Sequence, residues 1–149
     1  MSDEEARHRG IPSLEEQDLY LFQAGFLSPQ EGYIVGAGGF ALHTTDAGMT
    51  WQATHADTRN TLFSLGLPAG SMPVASGILG TLTEKQADGW KLNTEASSTV
   101  FTWLRTVSFA PDGSLGIVTG GKGTLLISSD GGKSWAPLNR ELLVAAAGV

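Results

Sequence analysis

The chain has 149 residues, 41% of them apolar and 16% charged, with a formal net charge of −6 and no cysteine. That size permits one hydrophobic core, the missing cysteines exclude disulfides, thiolate metal sites and a cysteine nucleophile, and no apolar run reaches the length of a membrane-spanning helix. After residue 18 nine acidic residues stand against seven basic ones, so there is no basic stripe to displace counterions and nucleic acid is not an expected ligand.

In chain order, residues 1–18 form an acidic lead-in carrying six acidic and two basic residues. Its first ten residues, Met1 to Gly10, are charged and lack the apolar segment of a secretory signal, which sets a cytoplasmic location as the expectation. Within it, Pro12-Ser13-Leu14-Glu15-Glu16 reads either as a short helix capped by Ser13 and closed by Glu16, or as an irregular lead-in. Residues 19–139 then divide into three units, 19–58, 59–100 and 101–139, each a series of short apolar strands between turn residues. The first has strands near Leu19–Leu27, Gly32–Ala37, Phe40–Thr45 and Thr50–Thr54. The second has them near Thr61–Leu67, Met72–Ser76, Gly80–Glu84 and Gly89–Asn93, with a tight hairpin at Ala87-Asp88-Gly89. The third has them near Thr102–Ala110, Leu115–Thr119, Thr124–Ser128 and Ser134–Leu138. Many strands are apolar on both faces, as expected of small sheets sandwiched between neighbours. The tail, 140–149, fits the first strand of a truncated fourth unit, a strand added to a partner's edge, or a short helix.

The units are copies of one another. Gly32 to Trp51 aligns without a gap on Gly116 to Trp135, with Gly36/Gly120, Leu42/Leu126, Asp46/Asp130, Gly48/Gly132 and Trp51/Trp135 identical. The offset of 84 is two periods of about 42, the length of a four-stranded propeller blade. A worn middle copy supplies Gly77 and Gly80, and Trp90 in place of Trp51 and Trp135. Twenty glycines without a collagen period suit many strands joined by tight turns.

The chemistry most visible in the repeats belongs to turns. In Thr44-Thr45-Asp46-Ala47-Gly48-Met49-Thr50-Trp51 and Ser128-Ser129-Asp130-Gly131-Gly132-Lys133-Ser134-Trp135 a short carboxylate can accept backbone N–H groups that the turn leaves unpaired. The glycine supplies backbone freedom and the tryptophan covers the hairpin. These residues resemble the Asp-box, or bacterial neuraminidase repeat. The wider unit from Leu104 to Trp135 looks like a repeat of the photosystem II stability/assembly factor-like propellers, a likeness that extends over roughly residues 20 to 139. The resemblance implies an all-β fold of four-stranded blades, and a structural role for Asp46, Gly48, Trp51, Asp130, Gly132 and Trp135 away from the binding face. Trp90 departs from the pattern, since its hairpin has lost two residues and the Ser-x-Asp spacing.

Three blades alone would leave two broad apolar sheet faces in water. The chain is therefore expected to be a half-propeller that closes as a six-bladed ring by homodimerisation, blade 3 of each copy on blade 1 of the other. A fragment of a longer propeller, an open stack and a larger ring stand beside that reading.

A propeller binds at the mouth of its axial channel, among the first strands and the loops between second and third strands. The candidates there are Arg105, a charge in an apolar strand, with Arg59 and Lys122. The photosystem II-type propellers carry arginines on the corresponding face, implicated in binding a protein partner, so the resemblance implies a protein segment or small anionic ligand. The bland alternative is that Arg105 pairs with an acid or reaches solvent along its stem. No cofactor is expected. His43 and His55 lack a third metal ligand at a recognisable spacing, and the Gly-x-x-Gly turns lie between strands, unlike nucleotide loops. A sialidase-like hydrolase would need an arginine cluster and a Tyr/Glu pair. The body offers only Arg59, Arg105 and Arg140 with Tyr20 and Tyr33, and Glu31, Asp57, Glu84, Glu95 and Asp112 show no signature spacing. A pure scaffold remains the runner-up.

Overall fold

In the computed structural model, which describes residues 19–138, the chain forms three four-stranded antiparallel sheets, each a simple meander. Sheet 1 holds β1 (Leu21–Phe26), β2 (Gly32–Gly36), β3 (Phe40–Thr44) and β4 (Gln52–His55). Sheet 2 holds β5 (Leu62–Gly66), β6 (Val74–Gly77), β7 (Leu82–Gln86) and β8 (Gly89–Leu92). Sheet 3 holds β9 (Leu104–Phe109), β10 (Gly116–Gly120), β11 (Leu125–Ser128) and β12 (Ala136–Pro137). The last strand is short, and beyond it Leu138 N–H still donates to the Leu125 carbonyl at 2.9 Å. Ser13, Glu16, Arg140 and the tail lie outside the described residues.

The sheets stack face to face, and two apolar clusters fill the gaps. Tyr33, Val35 and Ala41 of sheet 1 meet Leu62, Leu65 and Ala75 of sheet 2. On the other side of sheet 2, Val74 and Leu82 meet Leu104, Val107, Val118 and Leu126 of sheet 3. The successive residues Val74 and Ala75 of β6 thus point into different clusters, which is why this strand is apolar on both faces.

Polar side chains tie the first strands together across the gaps. Leu65 N–H donates to Gln23 Oε1 at 2.9 Å, and Val107 N–H to Ser64 Oγ at 2.9 Å. Gln23 and Ser64 occupy the same place in their sheets, one residue beyond the same register shift. Deeper in the stack Thr83 Oγ1 donates to the Ala56 carbonyl at 2.6 Å and Ser76 Oγ to the Leu104 carbonyl at 3.2 Å.

One element is absent from the strand pattern. A helix, α1 (Thr94–Thr99), links sheets 2 and 3, with the Asn93 side chain capping it by accepting from Ala96 N–H at 2.9 Å. Its sequence has little helical periodicity. What holds it is tertiary, since Ala96 and the following Val100 are buried in the second cluster.

The two Thr/Ser-x-Asp turns are built alike. Buried Thr44 Oγ1 donates to Asp46 Oδ1 at 2.8 Å and accepts from Gly48 N–H at 2.9 Å, while Asp46 accepts from Thr50 N–H at 2.9 Å and from Thr50 Oγ1 at 2.6 Å. Ser128, Asp130, Gly132 and Ser134 repeat the arrangement, with Lys133 N–H as a further donor to Asp130 at 3.1 Å. Gly48 and Gly132 sit at φ 88° and 93°, in the left-handed region. Trp51 Nε1 and Trp135 Nε1 donate to the carbonyls of Gly48 and Gly132, and their rings meet Phe26 and Phe109 edge-on. Trp90 differs: its ring meets Tyr33 of sheet 1 edge-on, with centroids 6.1 Å apart, and its own sheet has Leu67 where the others have Phe26 and Phe109.

Two outcomes follow from these turns. Ser128→Ala leaves the buried Gly132 N–H without its acceptor and should cost about 1–3 kcal/mol in urea unfolding. Hydrogen bonds from Thr50 and from Ser134 hold the Asp46 and Asp130 carboxylates at about 2, against 3.8 for the free group. Since the folded values are the lower ones, their stabilisation is complete above about pH 4 and disappears as pH falls towards 2. Asp130→Asn should lower the melting temperature at pH 7 and flatten its fall between pH 4 and 2; an unchanged acid limb would contradict this account.

Candidate functional site

The first strand of every sheet breaks its ladder at the same place. Pairing of β1 with β2 skips Phe22, that of β5 with β6 skips Phe63, and that of β9 with β10 skips Arg105. These are β-bulges, which re-aim the extra side chain. The second strand permits them with Gly36, Gly77 and Gly120, where an added Cβ would lie 2.0 to 2.1 Å from the carbonyl oxygens of Tyr20, Thr61 and Trp103. Those same carbonyls accept the N–H of Ala37, Ile78 and Gly121, closing each bulge.

Because β5 lies between β1 and β9, the three bulge residues form a row. The Phe22 and Phe63 rings meet edge-on with centroids 5.6 Å apart, and Arg105 Cζ lies 5.2 Å from the Phe63 centroid. Phe22 and Arg105 are exposed and Phe63 is half-buried. Among the described residues Arg105 has no hydrogen-bond or ion-pair partner, so its charge is held by the ring face alone. Two further aromatics, Trp103 and Phe101, stand exposed just before Arg105.

Arg59 and Lys122 lie at the same end of the sheets as Arg105 without touching it. Arg59 is in the segment entering β5, against the Gly39 turn, and contributes after burial to lowering the pKa of His55, which stacks on Phe40. Lys122 is exposed at φ 56° in the 3₁₀ turn after β10. Asp46 and Asp130 are at the opposite end, beyond β3 and β11, where Ala47 N–H and Gly131 N–H donate to the carbonyls of Gln30 and Ser114.

A tyrosine–glutamate pair does exist. Tyr33 O–H donates to Glu31 Oε1 at 2.8 Å, and His43 Nε2 lies 3.2 Å from the same oxygen. Tyr33 is buried and stacked on His43, and burial first, then Glu31, pushes its hydroxyl well above the usual tyrosine range. That is the wrong direction for a nucleophile. The pair sits beside the first turn of sheet 1, away from Arg59 and Arg105. Among the described residues no three His, Asp or Glu side chains are grouped to hold a metal, and no helix is long and apolar enough to cross a membrane.

Two grooves, about 330 and 430 Å³, flank the β7–β8 hairpin and the Asp130 turn. Glu84 lies between them, its pKa raised mainly by burial and opposed by a hydrogen bond from Asn93.

The sequence singled out Arg105 but not the row. Phe22 and Phe63 read as ordinary strand residues, and the signal that pairs them with Arg105 is their shared place in the repeat, one residue after Leu21, Leu62 and Leu104.

No protein-family model matches the chain. It is 28% identical over 154 aligned positions to the chloroplastic photosystem II stability/assembly factor HCF136 of Oryza sativa subsp. japonica, which takes in 89% of this chain and 37% of that protein. Among solved structures, YCF48 bound to D1 peptide superposes with a TM-score of 0.63 at 16% identity, over 80% of this chain and 39% of that one. YCF48 from Cyanidioschyzon merolae gives 0.63 at 17%, over 83% and 41%. The chain thus spans less than half the length of these relatives, is similar in sequence to a photosystem II assembly factor, and has the fold of part of a β-propeller.

Proposed function

We propose that the chain is a non-catalytic propeller module that binds an anionic segment of another protein, with the row Phe22, Phe63 and Arg105 as its centre. The observation that carries this reading is Arg105: a guanidinium over an aromatic ring, with no carboxylate partner among the described residues, and open to solvent. A guanidinium carries its N–H donors along the edge of a planar fork, which can take a carboxylate through two parallel bonds. Phe22 and the neighbouring Trp103 supply apolar surface for the side chains of an extended segment. Arg59 and Lys122 add attraction at longer range and fall away with salt. The binding of D1 peptide by YCF48 supports a peptide as the class of ligand.

The Thr44–Trp51 and Ser128–Trp135 turns are read as Asp-boxes with a structural role, since they brace hairpins at the end remote from the row. Two copies closing a six-bladed ring, blade 3 of each on blade 1 of the other, would bring two such rows around one channel.

Titration of this chain with a fluorescently labelled D1 peptide tests the reading. Arg105→Ala should weaken binding about tenfold or more, as the loss of a charge-assisted bond implies, and Asp130→Asn should not. Equal affinity of the Arg105→Ala variant and the parent would sink it.

A further inference from the structure

We propose that the outer face of sheet 3 seats sheet 1 of a second copy, and that this seam completes the arginine site by setting Phe22 of the second copy beside the open side of Arg105. The inference rests on the ring-closure reading above and assigns its contacts.

The two interfaces within the chain are built on one plan, and both open faces carry its halves. Each leading face presents the same three positions of its first strand: Leu62, Leu65 and Leu67 in sheet 2, and Leu104, Val107 and Phe109 in sheet 3, packed against the preceding sheet. The corresponding residues of sheet 1 are Leu21, Ala24 and Phe26, all exposed, with Leu21 49% and Phe26 50% accessible. A core surface therefore stands uncovered.

Each trailing face presents an acceptor for the next sheet's first strand. Gln23 takes Leu65 N–H and Ser64 takes Val107 N–H. The third member of this series is Thr106, which lies exposed and, among the described residues, has its side chain bonded only to Thr119 on the adjacent strand, at 2.6 Å. By the same offset its partner is the Ala24 N–H of a second copy. Around Thr106 the trailing face carries exposed apolar side chains, with Ile117 38% and Leu115 53% accessible, beside the small polar Thr119 and Ser108. The seam continues the interface that already joins sheet 1 to sheet 2 and sheet 2 to sheet 3. Since Phe22 touches Phe63 and Phe63 touches Arg105 at this spacing, the next member of the row after Arg105 is Phe22 of the second copy. The guanidinium is then held between two rings, and twofold symmetry gives two such arginines across the channel.

One position departs from the plan. Gly25 and Gly66 make room for the next sheet's Leu67 and Phe109, which lie 2.6 and 2.7 Å from a Cβ built there. Sheet 3 has Ser108 at that place, where Phe26 of the second copy must sit. The seam is therefore overpacked by one small side chain and weaker than the interfaces within the chain.

Light scattering after size exclusion over a dilution series, on the full chain, tests the seam. The parent should show twice 15.6 kDa and dissociate on dilution. Leu21→Glu and Ile117→Arg, both on exposed residues and checked for folding by circular dichroism, should each give 15.6 kDa. Mixing them should restore the dimer, because one seam is then intact and the other pairs glutamate with arginine. Thr106→Glu gives a second trailing-face variant should Ile117→Arg not fold. Ser108→Gly should tighten the dimer about tenfold. A parent that is monomeric at every concentration, a dimer indifferent to these face variants, or a mixture that stays monomeric overturns the seam. Arg105-dependent peptide binding by such a monomer would leave the binding reading standing, whereas a dimer that binds no peptide would remove that reading and keep the seam.

Discussion

The constraint on which this structure depends is that a four-stranded sheet with apolar residues on both faces has no stable existence in water by itself. Such a sheet is too small to enclose a core, and each face must be removed from solvent by another sheet. Sheet 2 meets this fully, with Leu62, Leu65 and Ala75 in one gap and Val74 and Leu82 in the other. Among the described residues, sheets 1 and 3 meet it on one side only. The large exposed apolar residues of β1, Leu21, Phe22 and Phe26, are what remains of the unmet half.

Stacking also decides where the chemistry lies. The first strands sit side by side, and the bonds from Leu65 and Val107 to Gln23 and Ser64 set their relative height. Once that height is set, a bulge at the same place in every first strand becomes a row of side chains 5 to 6 Å apart. The row is apolar at two positions and cationic at the third, so one repeat geometry yields a surface with a single charged centre. Neither ring nor guanidinium is unusual alone; the spacing brings them into one row.

The hydroxyl–carboxylate turns and the row of bulge residues lie at opposite ends of the sheets. The Asp46 and Asp130 turns knit hairpins through a buried hydroxyl and a carboxylate that accepts several donors. The bulges, the 3₁₀ turns and the cationic residues Arg59, Arg105 and Lys122 occupy the other end. The middle unit shows what happens when one end changes. Its hairpin is shorter, Trp90 leans on Tyr33 of the neighbouring sheet, and grooves open beside the Asp130 turn, while the bulge at Phe63 keeps its geometry.

The repeat, its strands and its turn chemistry were legible in the sequence, because each depends on residues near in the chain: alternating apolar positions, Gly-x-x-Gly between strands, and a carboxylate two residues after a hydroxyl. The glycines even marked the bulges, since Gly36, Gly77 and Gly120 recur where a carbonyl oxygen leaves no room for a Cβ. What the sequence could not show depends on contacts between units. Helix α1 exists because Ala96 and Val100 find a place in the core, not because its residues favour a helix. Phe22 and Phe63 join Arg105 only when three sheets stack in register. Whether Arg105 met an acid or a ring was likewise decided by the sheet beside it, which puts Phe63 within reach and no carboxylate among the described residues.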